Sequence, residues 1–137
     1  MKILVMGLSG SGKSTLCRML RDMLSPREWL NADAIRSIYD DWDFSYEGRI
    51  RQAKRITKLA NESRAKYVIA DFIAPTQEIR DIFNPDIIIW MDTVQSSKYS
   101  DTDTIFEPPV KYDLRITEKN SENVYLVYDY IVGKNYK

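Results

Sequence analysis

Short apolar runs alternate along this chain with segments whose apolar residues recur every three to four positions. The runs read as buried strands and the periodic segments as amphipathic helices. Lys2 to Met6 predicts a buried strand that glycine ends. Lys13 to about Leu24 predicts a helix with Leu16, Met19, Leu20 and Met23 on one face, stopped by Ser25-Pro26. Glu28 to Leu30 predicts a short second strand, and Asp33 to Tyr39 a short helix. A longer helix is expected from Phe44 to about Arg64, with Ser45 as N-cap and Ala53, Ile56, Leu59 and Ala60 at helical spacing. Tyr67 to Ala70 reads as a third strand with Asp71 at its C-terminal end, and Thr76 to Phe83 as a short helix after Pro75. Asp86 to Met91 holds Ile87-Ile88-Ile89-Trp90, apolar on both faces, as a central parallel strand requires. Val94 to Thr104 is rich in Ser, Asp and Thr and reads as a mobile loop. Leu114 to Ile116 predicts a last strand. Ser121 to Val132 predicts a C-terminal helix with Val124, Val127, Tyr128 and Ile131 inward.

Strand and helix alternate, so the expected class is α/β: a parallel five-stranded sheet flanked by helices. Right-handed crossovers then bring the strand C-termini, and any site, to one edge. The length, 137 residues, suits one domain spanning 1–137. Twenty basic residues balance 20 acidic ones, so the chain lacks the global basic field of a dedicated nucleic-acid surface. With no histidine, zinc sites of the His type and a Ser-His-Asp triad are excluded. The lone cysteine, Cys17, forms no disulfide framework and reads as a packing residue. No apolar run approaches a membrane span, and the run at Met1 to Met6 is too short for a signal peptide, so the expected compartment is the cytoplasm.

The chemistry begins at Gly7-Leu8-Ser9-Gly10-Ser11-Gly12-Lys13-Ser14, which fits G-x-x-x-x-G-K-[ST] between a predicted strand and a predicted helix. Gly7 and Gly12 let the backbone turn and approach a phosphate. Successive N–H groups at a helix N-terminus form an anion nest. Lys13 is then placed to bridge the β- and γ-phosphates of ATP, and the Ser14 hydroxyl to ligate Mg²⁺. The expected ATP-binding set is Gly7, Ser9, Gly10, Ser11, Gly12, Lys13, Ser14 and Thr15. Asp71, at a strand end facing this loop, resembles a carboxylate that holds Mg²⁺ through water.

Gly7 to Leu16 also resembles the phosphate loop of adenylyl-sulfate kinases. Further matches follow in that family's order. Asn31-Ala32-Asp33-Ala34-Ile35-Arg36 resembles D-G-D-N-[IV]-R, and Asp41-Trp42-Asp43-Phe44-Ser45 with Arg49 and Gln52 resembles D-L-G-F-S-x-x-D-R-x-E-N. Phe72-Ile73-Ala74-Pro75 resembles F-I-S-P, and Phe106-Glu107-Pro108-Pro109 with Asp113-Leu114 resembles the element before the last strand. The resemblance implies an ATP-dependent kinase that phosphorylates the 3′-hydroxyl of adenylyl sulfate, with small-molecule nucleotides as its partners. It implies that Asp33 takes the acceptor's proton and that Arg36 and Arg49 hold its phosphosulfate. It further implies that Phe44 stacks on its adenine, and that Gln52 and Ile73 line its site. Arg49 and Gln52, three apart on one helix, share a face.

The chain departs from that pattern at several points. Asn31, Ala34 and Ala74 replace the family's aspartate, asparagine and serine, and Thr76-Gln77 replace its Y-R. Between Asp92 and Phe106 stand thirteen residues with Lys98 the sole basic one, where the family carries a basic lid. The departures leave two alternatives: a P-loop kinase for another small-molecule or nucleotide hydroxyl, or a nucleotide-binding module with little turnover. Asp33 and Asp71 compete for the base and metal roles, and the oligomeric state, a homodimer included, stays open.

Overall fold

The computed structural model describes residues 1–25 and 27–135. Its strands are β1 (Lys2–Met6), β2 (Arg27–Asn31), β3 (Tyr67–Asp71), β4 (Ile87–Met91) and β5 (Leu114–Ile116). They form one five-stranded parallel sheet in the order β2-β3-β1-β4-β5. The helices are α1 (Lys13–Met23), α2 (Ala32–Tyr39), α3 (Tyr46–Glu62), α4 (Gln77–Phe83), α5 (Ser100–Ile105) and α6 (Asn123–Asn135).

Side chains alternate across a strand, so each apolar run feeds two cores. Ile3 and Val5 of β1 join Leu16, Leu20, Val124, Val127 and Ile131 under α1 and α6. Leu4 and Met6 join Ile56, Ala60, Ile79 and Phe83 under α3 and α4. This double burial is why β1, β3 and β4 lack the polar alternation of a half-exposed strand. It also positions the site. The chain leaves β1 toward the α1 face and leaves the neighbouring β3 toward the α4 face, so the C-terminal ends of these strands open a crevice.

Local chemistry sets most boundaries. Ser45 caps α3 by accepting from the Gly48 N–H at 3.2 Å; the helix therefore begins at Tyr46, after Phe44. Thr76 caps α4 and Asn31 caps α2 in the same way. Helix α1 ends as the Leu24 N–H donates to the Leu20 carbonyl; Pro26, read as part of that stop, lies outside the described residues. Helix α6 starts later than expected and runs further, with Val124, Val127 and Ile131 buried.

The expectation of a mobile loop over Val94 to Thr104 is corrected, because α5 begins at Ser100 and takes up the second part of that segment. Ser, Asp and Thr compete with helical hydrogen bonds, which is why the sequence reads as loop there. Fixed contacts override that tendency. The Asp103 carboxylate accepts from the Ser97 N–H at 2.8 Å and from its hydroxyl at 2.7 Å. Buried Thr102 accepts from the Arg49 guanidinium at 2.9 Å.

Candidate active site

The crevice is a cleft of about 1160 Å³ with the glycine-rich loop on one side and residues of α2, α3, β3 and α5 on the other. Ser9, Gly10, Gly12, Lys13, Ser14 and Thr15 line it. Gly7 and Ser11 instead shape the loop from behind. Gly7 has φ +147°, and a side chain there would collide with the Met91 carbonyl oxygen. Ser11 is fully buried, its N–H donating to the Leu8 carbonyl at 3.1 Å, and the Thr93 hydroxyl donates to the Ser11 carbonyl at 2.7 Å.

Lys13 is buried, and its ammonium donates to the Leu8 carbonyl at 3.0 Å, across the span of the loop. Burial lowers its pKa, while the charges of Asp71, Cys17 and Asp33 act in the opposite direction. A cation held this way, with one protein partner and little water, is poised to exchange that carbonyl for a phosphate. Cys17 is fully buried behind the loop, and burial raises its thiol pKa, as suits an inert packing residue.

Asn31 and Asp71 are register partners at the ends of β2 and β3. One oxygen of the buried Asp71 carboxylate, Oδ2, accepts from the Ser14 hydroxyl at 2.8 Å and from the Asn31 amide at 3.0 Å. A hydroxyl and a carboxylate in contact at the mouth of a phosphate loop are hard oxygen donors, the kind Mg²⁺ takes alongside nucleotide phosphates and water. Among the described residues no group of three or more His, Cys, Asp or Glu is placed to hold a metal.

Across the cleft, Asp33 sits exposed in the first turn of α2, with no hydrogen-bond or ion-pair partner among the described residues. One turn on, Arg36 is buried, donating to the Asp41 and Asp43 carbonyls at 2.9 and 3.1 Å. Its guanidinium lies 4.3 Å from the Phe44 ring centroid, and that of Arg49 lies 5.5 Å from it. Burial lowers the pKa of both arginines, yet both stay charged at any physiological pH. Phe44 is half exposed, so it is a cleft residue rather than core. Arg51 and Arg55 bind the Asp41 carboxylate and hold its pKa well below the usual carboxylate range, which fixes the turn carrying Trp42 and Phe44. Gln52 lines the cleft, but its amide is engaged: it donates to the Ala32 carbonyl at 3.0 Å and accepts from Arg55 at 2.8 Å. Ile73 lines the same wall.

Two groups of lining residues were not singled out from the sequence. Trp42, Tyr99 and Thr102 extend the wall beside Phe44 and Arg49. Lys119, Asn120, Ser121 and Asn123, at the connection from β5 to α6, close the loop side. The rule that places sites beyond strand C-termini covers this second group, since β5 belongs to the same sheet.

The family model for adenylylsulphate kinase matches residues 1–89. No curated protein matches the chain in sequence. Among solved structures, the fold is similar to that of the protein APE1195 at 24% identity and a TM-score of 0.78, covering 97% of this chain and 95% of that one. It is similar to the Mycobacterium tuberculosis APS kinase CysC, in complex with AMPPNP and APS, at 21% identity and a TM-score of 0.74, with 96% of each chain covered. Shikimate kinase from Aquifex aeolicus matches at 17% identity and a TM-score of 0.68, with 98% of each chain covered. The phosphate loop, the parallel sheet that carries it and the family model over residues 1–89 agree: this chain has the P-loop kinase fold and belongs to the adenylylsulphate kinase family.

Proposed function

We propose that this chain transfers the γ-phosphoryl group of Mg-ATP to the 3′-hydroxyl of adenylyl sulfate, with residues 1–137 acting as one kinase domain. The observation that carries the reading is the composition of the cleft at the strand C-termini. It joins Lys13, Ser14 and Asp71 to an exposed carboxylate, Asp33, and to two arginines around an exposed aromatic ring. About 1160 Å³ is more than one small ligand needs and leaves room for donor and acceptor together. The family match and the similarity to a kinase solved with AMPPNP and APS support the same pair of substrates.

Each residue has a role that its place allows. The loop amides cradle the phosphates, and Lys13 leaves the Leu8 carbonyl to pair with the β- and γ-oxygens. Ser14 and Asp71 would hold Mg²⁺, which when bound neutralises charge on the phosphates. Asp33 accepts the proton of the attacking hydroxyl. Arg36 and Arg49 keep guanidinium N–H groups beyond those engaged with the protein and offer them to the acceptor's anionic group. Phe44 stacks on its base. In-line positioning of two bound partners supplies most of what phosphoryl transfer requires.

A second reading, a P-loop kinase acting on another small-molecule or nucleotide hydroxyl, draws on the segment 93–105, where Lys98 is the only basic residue. A cytoplasmic location, where ATP and soluble nucleotides meet, fits both readings, as does a monomer or a homodimer; no described helix is long and apolar enough to cross a membrane. Calorimetry with adenylyl sulfate in the presence of ADP separates them. Saturable binding that Arg49→Ala weakens supports the first reading, and no detectable heat moves the assignment to the second.

A further inference from the structure

Arg80, on α4, is the largest fully buried side chain among the described residues. Burying a guanidinium is costly, and a methionine would fill similar space without that cost. What arginine adds is its fork. Nε donates to the Ala74 carbonyl at 2.9 Å, and Nη2 donates to the Glu107 carbonyl. Nη1 is buried without a partner, and the guanidinium lies 5.5 Å from the Phe106 ring centroid. The Glu107 N–H donates to the Pro75 carbonyl at 2.7 Å, so two segments distant in sequence are tied at adjacent residues.

Both segments lead into the cleft. Ala74 follows Ile73 and holds a left-handed backbone, φ +48°, unusual for alanine. Glu107 follows α5, whose Thr102 accepts from Arg49. We infer that Arg80 is a positioning residue that fixes the Ile73 wall of the cleft against the α5 wall. It touches neither substrate. It acts by holding Ala74 in its strained turn and by keeping α5 where Thr102 meets Arg49. For its kinetic arm, this inference rests on the proposed acceptor side of the cleft; its structural arm does not.

The test compares wild type with Arg80→Met, which keeps the volume, and Arg80→Lys, which keeps the charge but cannot fork to both carbonyls. Hydrogen exchange is read over 72–76 and 105–108, together with KM for ATP and for adenylyl sulfate. In Arg80→Met both segments should exchange roughly tenfold faster, while the phosphate loop and β1 keep wild-type protection. KM for adenylyl sulfate should rise about tenfold, with kcat and KM for ATP within about threefold of wild type. Arg80→Lys should restore protection to one segment and not to both. Wild-type protection of both segments in Arg80→Met overturns the inference, as does an equal rise in both KM values. If Arg80→Met does not fold, Arg80→Lys decides: protection of both segments at wild-type level refutes the forked tether. If wild type shows no turnover with adenylyl sulfate, the proposed function fails, while the exchange pattern still decides the role of Arg80.

Discussion

Gly7 and Gly12 flank the phosphate loop and differ in what surrounds them, so alanine at each should have different costs. At Gly12, φ is +97° and an added Cβ meets only the Met91 Cε at 3.7 Å and the Lys119 stem at 3.9 and 4.0 Å, which are ordinary contacts. Gly12→Ala therefore carries backbone strain alone, about 1–2 kcal/mol. At Gly7, φ is +147°, and the Cβ would strike the Met91 carbonyl oxygen and come within 2.9 Å of the Ser11 hydroxyl. That carbonyl belongs to the end of β4, which pairs with β1 through Met6 and Trp90, so it cannot give way cheaply. Strain of about 1–3 kcal/mol and overpacking of about 1–3 kcal/mol then add to roughly 2–6 kcal/mol, with a midpoint of about 4 kcal/mol. Urea unfolding at a common m-value reads the difference. At mid-range the two costs differ by about 2.5 kcal/mol, so with m of about 2 kcal/mol/M Gly7→Ala should lower the midpoint by about 1 M beyond Gly12→Ala. Equal midpoints for the two variants would refute the claim that Gly7 is fixed by the close approach of β4.

Lys13→Ala should leave the fold intact and lower kcat at least 10²–10³-fold, about 2.7–4 kcal/mol, read by ADP release under saturating ATP. Asp33→Asn should lower kcat with ATP affinity nearly unchanged, whereas Asp71→Asn should mainly raise the Mg²⁺ concentration needed for half-maximal rate; steady-state kinetics with the opposite pattern would exchange their roles. Tyr130 donates to the Asp113 carboxylate at 2.6 Å, and that bond pushes its pKa up to about 12 from 10.0. The folded state keeps this proton after the unfolded chain has released it, so the contribution is whole below pH 10 and is lost as pH rises from 10.0 toward about 12. Tyr130→Phe should flatten the fall in stability between about pH 10 and about pH 12, measured by urea midpoints.

How much of this was legible beforehand follows from where the information lies. The strands β1, β3 and β4 are buried on both faces, and their unbroken apolar runs say so directly. The phosphate loop is a local motif whose spacing carries its geometry. Helix α5 was not legible, because its Ser, Asp and Thr residues are held by Asp103 contacting Ser97 and Thr102 contacting Arg49, contacts that propensity does not contain. Gln52 shows a different limit. Helical spacing correctly put it on the face of Arg49, but spacing gives a direction, not a partner, and its amide is engaged by Ala32 and Arg55. The wall at Lys119 to Asn123 is polar and mostly exposed, without a motif, and the topology of β5 brings it to the cleft. The contact of Asp71 with Ser14 was foreseeable in kind from a strand-end acid facing the loop, while its bond to Asn31 needed the β2–β3 register.

Phosphoryl transfer to adenylyl sulfate is read directly by incubating the protein with Mg-ATP and adenylyl sulfate and following both products by ³¹P NMR. ADP and a 3′-phosphorylated adenylyl sulfate should appear together in equal amounts, at least 10²–10³-fold more slowly with Lys13→Ala and not at all in the absence of Mg²⁺. Consumption of ATP without phosphorylated adenylyl sulfate, by a protein that binds both nucleotides, would contradict it.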